Sequence, residues 1–453
     1  MQYIYVYNDI CAYIIRSLLF LMFVYIGERD DQRVVIVQYD LWYWKERKSF
    51  SYLEYPYLLD AGSKARYLEY ENMYRQQQAR RNQLFRFLIE RGFMSDREEL
   101  LETMDLVLRV RRDHLIEDTL PILQLYSPSE LKRRLRIIFE GEQGVDQGGL
   151  TKEFFQLIIK ELFDPKFGMF IYNQSTQTYW FNRDSIDSDA EYKLIGVLIG
   201  IAIYNNTILD FRFPKVMFKK LLGNPIDFDD FRDFDPEMAR GFEQLLQFNG
   251  DVENTFCRNF SVPYSYYGEE RSDDLKKDGS KIPLTNDNRE EYVDLYVRYL
   301  LEESVKVQFE SFRRGFQLVC DSELFTKFTS GELELLICGN RQFDFEKLEQ
   351  TCRYENGFSK QTSLIKHFWT IVHKLSEEDK RKLLSFCTGS DRVPIRGLGE
   401  LQLTIAKHGS NDAQLPTSHT CFNHILLPEY SSVEILRERL LTAIQNSEGF
   451  GLL

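Results

Sequence analysis

The sequence predicts an α+β protein in which a mainly helical body precedes a smaller α/β unit. Helix-forming segments dominate the chain as far as Gly339. After a short connector, residues 340–344, the chain restarts with its own hydrophobic set. That last part combines short alternating strands with a capped amphipathic helix, which is the pattern of a compact α/β unit.

Composition excludes several classes of protein. The 453 residues are 43% hydrophobic and 14% aromatic, so the chain can bury sizeable cores and is not mainly disordered. At roughly 150 residues per domain, this length corresponds to about three domains or lobes. The formal net charge is −13. Nucleic acid is therefore not an expected partner, because neutralising phosphates supplies most non-specific affinity.

Cysteine and glycine patterns argue against metals and nucleotides. The seven cysteines form no C-x-x-C pair and their number is odd, so we expect neither a disulfide framework nor a zinc cluster. The glycines of residues 141–149 lack the G-K-[ST] of a phosphate loop. We expect no cofactor, no metal and a reducing, intracellular compartment.

The N-terminal residues 1–109 are predicted to be a helical region. The stretch Ile10–Ile26 is strongly apolar but contains Arg16. It is shorter than the roughly 20 apolar residues of a spanning helix, so we predict a buried helix, with a membrane anchor as the alternative. Further on, Ser63 is predicted to cap a helix that runs to Arg91.

Three further helices are predicted before residue 210. Ser127 and Glu130 have the spacing of a capping box, which predicts a helix over residues 127–140. Thr151 is predicted to cap the next helix. Residues 192–206 suit a buried core helix, in which Gly196 and Gly200 let another backbone approach closely.

The final part of the chain starts after a helix that is predicted to end at Gly339. LQLTIAKH (401–408) alternates apolar and polar residues and predicts a half-buried strand, and HILLPEY (424–430) predicts another. Ser431 and Glu434 then form a capping-box pattern at the start of the last helix.

One cysteine stands out by its neighbours. LPTSHTCFN places Cys421 among Ser418, His419 and Thr420, with His424 close behind. A lone cysteine is more often inert core. Polar groups around a thiol favour the thiolate, which is the nucleophilic form. A Cys–His dyad is one interpretation of this pattern, and a loop that His419 shapes by hydrogen bonding is the favoured one.

Taken together, these segments resemble a HECT ubiquitin-protein ligase, and among these the Angelman-syndrome type. The resemblance keeps order and spacing from about residue 110 to the last residue. The segments that carry it are VRRDH (110–114), FEGEQGVDQGG (139–149), GMFIYNQST (168–176), YWFN (179–182), IGIAIYNN (199–206), KIPLTNDNR (281–289), FRRGF (312–316), ELELLICG (332–339), GLGELQLTIAK (397–407), LPTSHTCFN (415–423) and GFGLL (449–453).

The resemblance implies a bilobal HECT domain. Its N-lobe would be residues 110–339, its hinge 340–344 and its C-lobe 345–453, preceded by the helical region 1–109, which matches no known module. The hinge residues would be Asn340, Arg341 and Gln342.

The resemblance also implies roles for individual residues. Cys421 would accept ubiquitin as a thioester and pass it to substrate lysines. Supporting residues would be His419, Thr420 and Phe450. The residues that would bind the ubiquitin-conjugating enzyme are Met238, Tyr292 and Tyr296; a helix packing face is the alternative for the two tyrosines.

Partners and location are implied by the same resemblance. The implied partners are a ubiquitin-conjugating enzyme, ubiquitin and protein substrates marked for proteasomal degradation, in the cytoplasm and also the nucleus, with no membrane association. Two alternatives stay open: a catalytically inactive helical scaffold, and a cysteine hydrolase acting on ubiquitin. The papain-type C-G-x-C-W signature is absent from the sequence, which disfavours the hydrolase.

Overall fold

A computed structural model describes residues 30–47, 50–91, 104–142, 149–185, 189–266, 268–340 and 343–446. The chain forms two compact units, residues 1–74 and 75–453. The apolar stretch Ile10–Ile26 lies outside the described residues. Within them, every helix is too short or too polar to cross a membrane.

The first unit contains helix α1 (Asp30–Glu46) and the beginning of helix α2 (Ala61–Arg91). Buried Asp40 accepts hydrogen bonds from the hydroxyls of Ser51, at 3.0 Å, and Tyr67, at 2.7 Å. Burial raises the pKa of the Asp40 carboxyl. Helix α2 starts two residues before the predicted cap, because the Asp60 carboxylate accepts from the backbone N–H of Ser63 at 2.6 Å.

In its described residues the second unit mixes helices with four small sheets, which confirms the α+β class. Its helices are α3 (Leu115–Leu125), α4 (Gly149–Leu162), α5 (Asp189–Tyr204), α6 (Lys215–Leu221), α7 (Phe228–Phe234), α8 (Pro236–Gln247), α9 (Val252–Phe256), α10 (Arg289–Leu301), α11 (Lys306–Val319), α12 (Ser330–Cys338), α13 (Phe345–Thr351), α14 (Ser363–His373), α15 (Glu377–Thr388) and α16 (Val433–Gln445). Its strands are β1 (Leu106–Val110), β2 (Leu135–Phe139), β3 (Phe170–Asn173), β4 (Thr178–Phe181), β5 (Ser261–Tyr266), β6 (Glu269–Asp274), β7 (Arg353–Glu355), β8 (Thr404–Lys407), β9 (Thr417–His419) and β10 (His424–Leu427).

Two helix predictions fail in the region of β1 and β2. These strands pair in parallel, with Leu106 opposite Leu135, so the end of the predicted helical region and most of residues 127–140 are not helical. One of the two capping-box hydrogen bonds forms, since the Glu130 carboxylate accepts from the N–H of Ser127. The Ser127 hydroxyl donates to the same carboxylate, and the Glu130 N–H donates to the backbone carbonyl of Ser127 rather than to its hydroxyl. They close a turn, after which the apolar residues of β2 are buried in the sheet.

Helices α5 and α11 approach each other so closely that their backbones touch. Cβ atoms added to Gly196 and Gly315 would lie 2.0 Å from the carbonyl oxygen of Phe312 and 1.8 Å from that of Lys193, respectively. At Gly200 an added Cβ would lie 2.9 Å from Cβ of Val319. The predicted backbone approach at Gly196 and Gly200 is confirmed, and Gly315 contributes the same freedom from α11.

The C-terminal residues form a four-stranded sheet in the order β7-β8-β10-β9. β10 is parallel to β8 and antiparallel to β9. Helices α13–α16 and this sheet share one hydrophobic core that runs from Phe345 to Ile444. Helix α16 is capped by Ser432, whose hydroxyl accepts from the N–H of Ile435, one residue later than the predicted cap at Ser431.

Helix α12 ends as predicted, with Gly339 at a φ of 68° after its last residue. The next residue, Asn340, pairs with Val393 of the C-terminal part. The N–H of Asn340 donates to the carbonyl of Val393 at 2.7 Å, and the N–H of Val393 donates back at 3.0 Å. The connector therefore begins with a backbone clamp.

The contact between α5 and α11 predicts a strong asymmetry among glycine substitutions. Gly315→Ala should lower the free energy of unfolding by roughly 3 kcal/mol, because its methyl group has no space against Lys193. Gly241→Ala, in helix α8 with nothing within 4 Å of the added Cβ, should raise it by about 1 kcal/mol. Denaturant midpoints of the two variants measure the difference, and equal midpoints would contradict this account of the packing.

Candidate active site

The candidate site is built around a 3₁₀ turn, Thr420–Phe422, which we call the cysteine turn. Strand β9 leads into it and β10 leaves it. Asn423 reverses the chain at a φ of 50°, in the left-handed region that asparagine tolerates better than most residues. Its side-chain amide donates to the carbonyl of Leu401 at 2.6 Å, and its own carbonyl accepts from the N–H of Thr404 at 2.9 Å. Two hydrogen bonds thus hold the end of the turn against the residues that lead into β8.

Cys421 is the middle residue of the cysteine turn, and the structure describes its backbone but not its side chain. Phe422, the next residue, exposes 58% of its surface. The turn lies against α15 of its own core and against α4, which comes from far earlier in the chain. The position predicted for the nucleophile is therefore at a surface turn where two distant parts of the second unit meet.

The two histidines beside Cys421 face each other across the sheet. His419 of β9 is paired with His424 of β10, and their ring centroids are 6.1 Å apart. Nε2 of His424 is buried and has no hydrogen-bond partner among the described residues. A general base is normally oriented by a third group, and the described part of the chain offers none for this imidazole. The interpretation as a Cys–His dyad gains no support from this geometry.

The predicted groove residues lie on helices α8 and α10. Met238 is in the first turn of α8, where its N–H donates to the Asp235 carboxylate at 2.9 Å. Phe242 lies one turn further along, and its ring centroid is 5.2 Å from that of Tyr296 and 6.4 Å from that of Tyr292. Sequence reasoning missed Phe242, although its spacing of four from Met238 places both on one helix face.

The two tyrosines differ in exposure. Tyr292 is only 5% exposed and packs on Phe260, with ring centroids 5.4 Å apart. Burial raises the pKa of its phenol to about 12. Tyr296 is only partly buried, so it can touch a partner. Tyr292 therefore packs beneath the predicted groove, while Tyr296 and Met238 are partly exposed at its surface.

The remaining predicted residues are only partly described. Asn340 forms the clamp with Val393, whereas Arg341, Gln342 and the tail residue Phe450 lie outside the described residues. His, Cys, Asp and Glu side chains in the described part of the chain form no group of three that could hold a metal ion.

Comparison with known families identifies this arrangement. The family described as HECT-domain (ubiquitin-transferase) matches residues 156–453, which include the C-terminal core and the cysteine turn. The chain belongs to the HECT-domain family. The match covers well over half of its length.

Curated HECT relatives agree over most of the chain. A probable E3 ubiquitin-protein ligase HECTD2 from Mus musculus is 37% identical over 89% of this chain and 53% of its own length. The human ligases HERC4 and HERC3, both also described as probable, are 37% and 41% identical over 88% and 77% of this chain. The chain spans only 38% and 33% of their lengths. These relatives confirm the family, while the finer resemblance to the Angelman-syndrome type stays a prediction.

The reactivity of the other cysteines offers a direct check of how the core around the site is packed. Cys257 is exposed, whereas Cys320 and Cys387 are buried, and burial raises the pKa of both buried thiols. In the folded protein at pH 8, iodoacetamide should alkylate Cys257 at least tenfold faster than either, since the thiolate is the reactive form, roughly in proportion to its population. Peptide mass spectrometry measures the rates. Equal modification of Cys387 and Cys257 without denaturant would refute this description of the core.

Proposed function

We propose that this chain is a ubiquitin-protein ligase that accepts ubiquitin from a conjugating enzyme as a thioester on Cys421 and transfers it to substrate lysines. The observation that carries the proposal is the placement of Cys421 in a surface turn within the segment that matches the HECT-domain (ubiquitin-transferase) family. A nucleophile that must meet two large protein partners in succession needs a turn at the surface, and Phe422, the residue after Cys421, is 58% exposed.

The chemistry needs two covalent steps and no cofactor. In the first, the Cys421 thiolate attacks the carbonyl carbon of the ubiquitin thioester, and the thiolate of the conjugating enzyme leaves. In the second, a lysine amine attacks the new thioester, loses a proton and releases the Cys421 thiolate. Splitting the transfer in this way lets one protein choose the donor and the acceptor separately. The thioester already holds the free energy for amide formation, so the protein's contribution is mainly positioning.

The proposed lobes are residues 110–339 and 345–453, joined by the hinge 340–344. The single hydrophobic core from Phe345 to Ile444 supports the C-lobe, because it closes without residues from before the hinge. Arg341 and Gln342 would absorb the change in backbone angles as the lobes move. Phe450 is proposed to act in delivery to lysine.

Partners and setting are proposed on the same basis. The partners are a conjugating enzyme, ubiquitin and protein substrates, in the cytoplasm and nucleus, and the Angelman-syndrome type remains the proposed subtype. A hydrolase acting on ubiquitin is disfavoured by His424, whose buried Nε2 lacks an orienting partner among the described residues. An inactive scaffold would form no thioester at all, so adduct formation distinguishes it from a ligase.

Substituting the proposed nucleophile should separate the covalent step from binding. With activating enzyme, conjugating enzyme, ATP and ubiquitin, the wild-type chain should form an adduct that reductant removes. Cys421→Ala should abolish it, whereas Cys421→Ser should trap an adduct that reductant leaves intact. Cys257→Ser, at an exposed cysteine outside the turn, is the matched control and should load normally. A reductant-sensitive adduct on the Cys421→Ala variant would refute the assignment.

The groove prediction distinguishes the two tyrosines. Tyr296→Ala should slow loading at limiting conjugating enzyme about tenfold or more, because interface aromatics are often binding hot spots. Its melting temperature should change little. Tyr292→Ala should instead destabilise the fold by roughly 3 kcal/mol, because it removes a buried aromatic side chain.

Loading kinetics and thermal melts of both variants check this contrast. Tyr296→Phe, which keeps the ring, serves as the control and should load like the wild-type chain. If Tyr296→Ala loaded at the wild-type rate, the groove would lie on another surface.

A further inference from the structure

A glutamine on α4 reaches the C-terminal part of the chain beside the cysteine turn. The side-chain amide of Gln156 donates to the backbone carbonyl of Gly389. Gly389 ends helix α15 in the left-handed conformation, and its N–H bonds back to Ser385 at 2.7 Å. Carbonyls at a helix C-terminus carry partial negative charge and need a donor from outside the helix. Gln156 supplies that donor.

Gly389 lies between Gln156 and the cysteine turn. A Cβ atom built on Gly389 would lie 3.1 Å from Nε2 of Gln156 and 3.4 Å from Cβ of Thr420. Thr420 is the residue directly before Cys421. The contact is thus one residue removed from the proposed nucleophile, and α4 also meets the turn directly. A shift of Gln156 relative to Gly389 would therefore change the packing around Thr420 in the cysteine turn.

The same short segment holds two further contacts, one with a residue before the hinge and one with the first hinge residue. Arg392, whose side chain is 8% exposed, donates to the Asp210 carboxylate at 2.6 and 3.0 Å. Val393 forms the backbone clamp with Asn340. Residues 389–393 therefore dock the C-terminal core at Gln156, Asp210 and Asn340. Of these three contacts, that of Gln156 is the one that borders the cysteine turn.

The docked turn and the proposed groove are on different sets of elements. Helix α4 packs on β2 and α3, whereas the groove helices α8 and α10 pack on α7 and on each other. Because the proposed groove and the docked turn share no element, we assign the docked position to a step that does not need the conjugating enzyme. The docked position then suits the second step, in which ubiquitin leaves Cys421 for a lysine.

We propose that Gln156 is a positioning residue that holds the cysteine turn against α4 in the state that delivers ubiquitin to lysine. This inference rests on the proposed function. Gln156 touches no reacting atom and acts through Gly389 and Thr420. Its amide fixes where the thioester is presented, and losing it lowers the population of the docked state.

The test uses one near-isosteric variant of the full chain and one variant with a longer donor. Gln156→Glu removes the donor and opposes a carboxylate to the Gly389 carbonyl, whereas Gln156→Arg keeps a donor of sufficient length. Lys160→Ala, at an exposed position one turn further along α4, is the control. Each variant is loaded with ubiquitin, the upstream enzymes are quenched, and discharge to free lysine is followed in a single turnover.

Gln156→Glu should slow discharge about tenfold, the effect expected from losing one hydrogen bond and gaining a repulsion, while loading stays within about twofold of wild type. Gln156→Arg and Lys160→Ala should discharge at nearly the wild-type rate. The inference is overturned if Gln156→Glu discharges normally, if it slows loading and discharge equally, or if Gln156→Arg fails to restore discharge.

A second measurement does not depend on ligase activity. Amide hydrogen exchange at Val393 and Asn340 reports the opening of the backbone clamp. Exchange of both amides should be about tenfold faster in Gln156→Glu than in wild type, and unchanged in Lys160→Ala. Unchanged exchange in Gln156→Glu would show that the glutamine does not hold the docked state. If exchange responds but the wild-type chain forms no thioester, the docking contact stands and the proposed function fails.

Discussion

The backbone contact between α5 and α11 is the constraint on which the arrangement of the second unit depends. Helices normally meet through side chains at 8–10 Å, and approach closer only where side chains are missing. Here Gly196 and Gly315 let each helix press on a carbonyl of the other. Because the contact is backbone on backbone, it leaves no rotamer freedom and fixes the relative position of the two helices.

The position of α5 also determines where the next segment, residues 205–210, lies. The side chain of Asn205 accepts from the N–H of Leu135, at the start of β2, at 3.0 Å. The N–H of Leu209 donates to the carbonyl of Ile337 near the end of α12 at 2.9 Å. Asp210 then pairs with Arg392. This one segment thus contacts the parallel strand pair, the helix before the connector and the C-terminal core, and it positions the three relative to one another.

Local sequence signals predicted the elements whose cause is local. The end of α12 at Gly339 was predicted correctly. The strand predicted over 424–430 forms over His424–Leu427 only, and the caps of α2 and α16 were misplaced by one to three residues. The parallel pair of β1 and β2 was missed, because the local contact between Ser127 and Glu130 closes only a turn, while burial of β2 in a sheet decides the structure downstream. Parallel pairing joins residues far apart in the chain, and no local pattern reports it.

The candidate site also combines features that the sequence could predict with features that depend on the tertiary fold. The roles of Cys421, Tyr292 and Tyr296 came from the family resemblance, whereas spacing alone showed only that the two tyrosines are one helical turn apart. Their different exposure was not predictable, since Phe260 and Phe242, which cover Tyr292, come from other elements. The bond from Gln156 to Gly389 joins residues 233 positions apart and depends entirely on the tertiary fold.

The cysteine turn carries two kinds of contact with different consequences for motion. Asn423 ties it to Leu401 and Thr404, and α15 supports it; these all belong to the C-terminal core. Its contacts with α4, and those of Gly389 with Gln156, cross to residues before the connector. A rigid movement of the C-terminal core would break only the second kind. The local shape of the turn would then be the same wherever the core is seated, and what changes is the surface that it faces. In the proposed mechanism, the geometry around Cys421 and the movement of Cys421 would therefore be controlled by separate sets of residues.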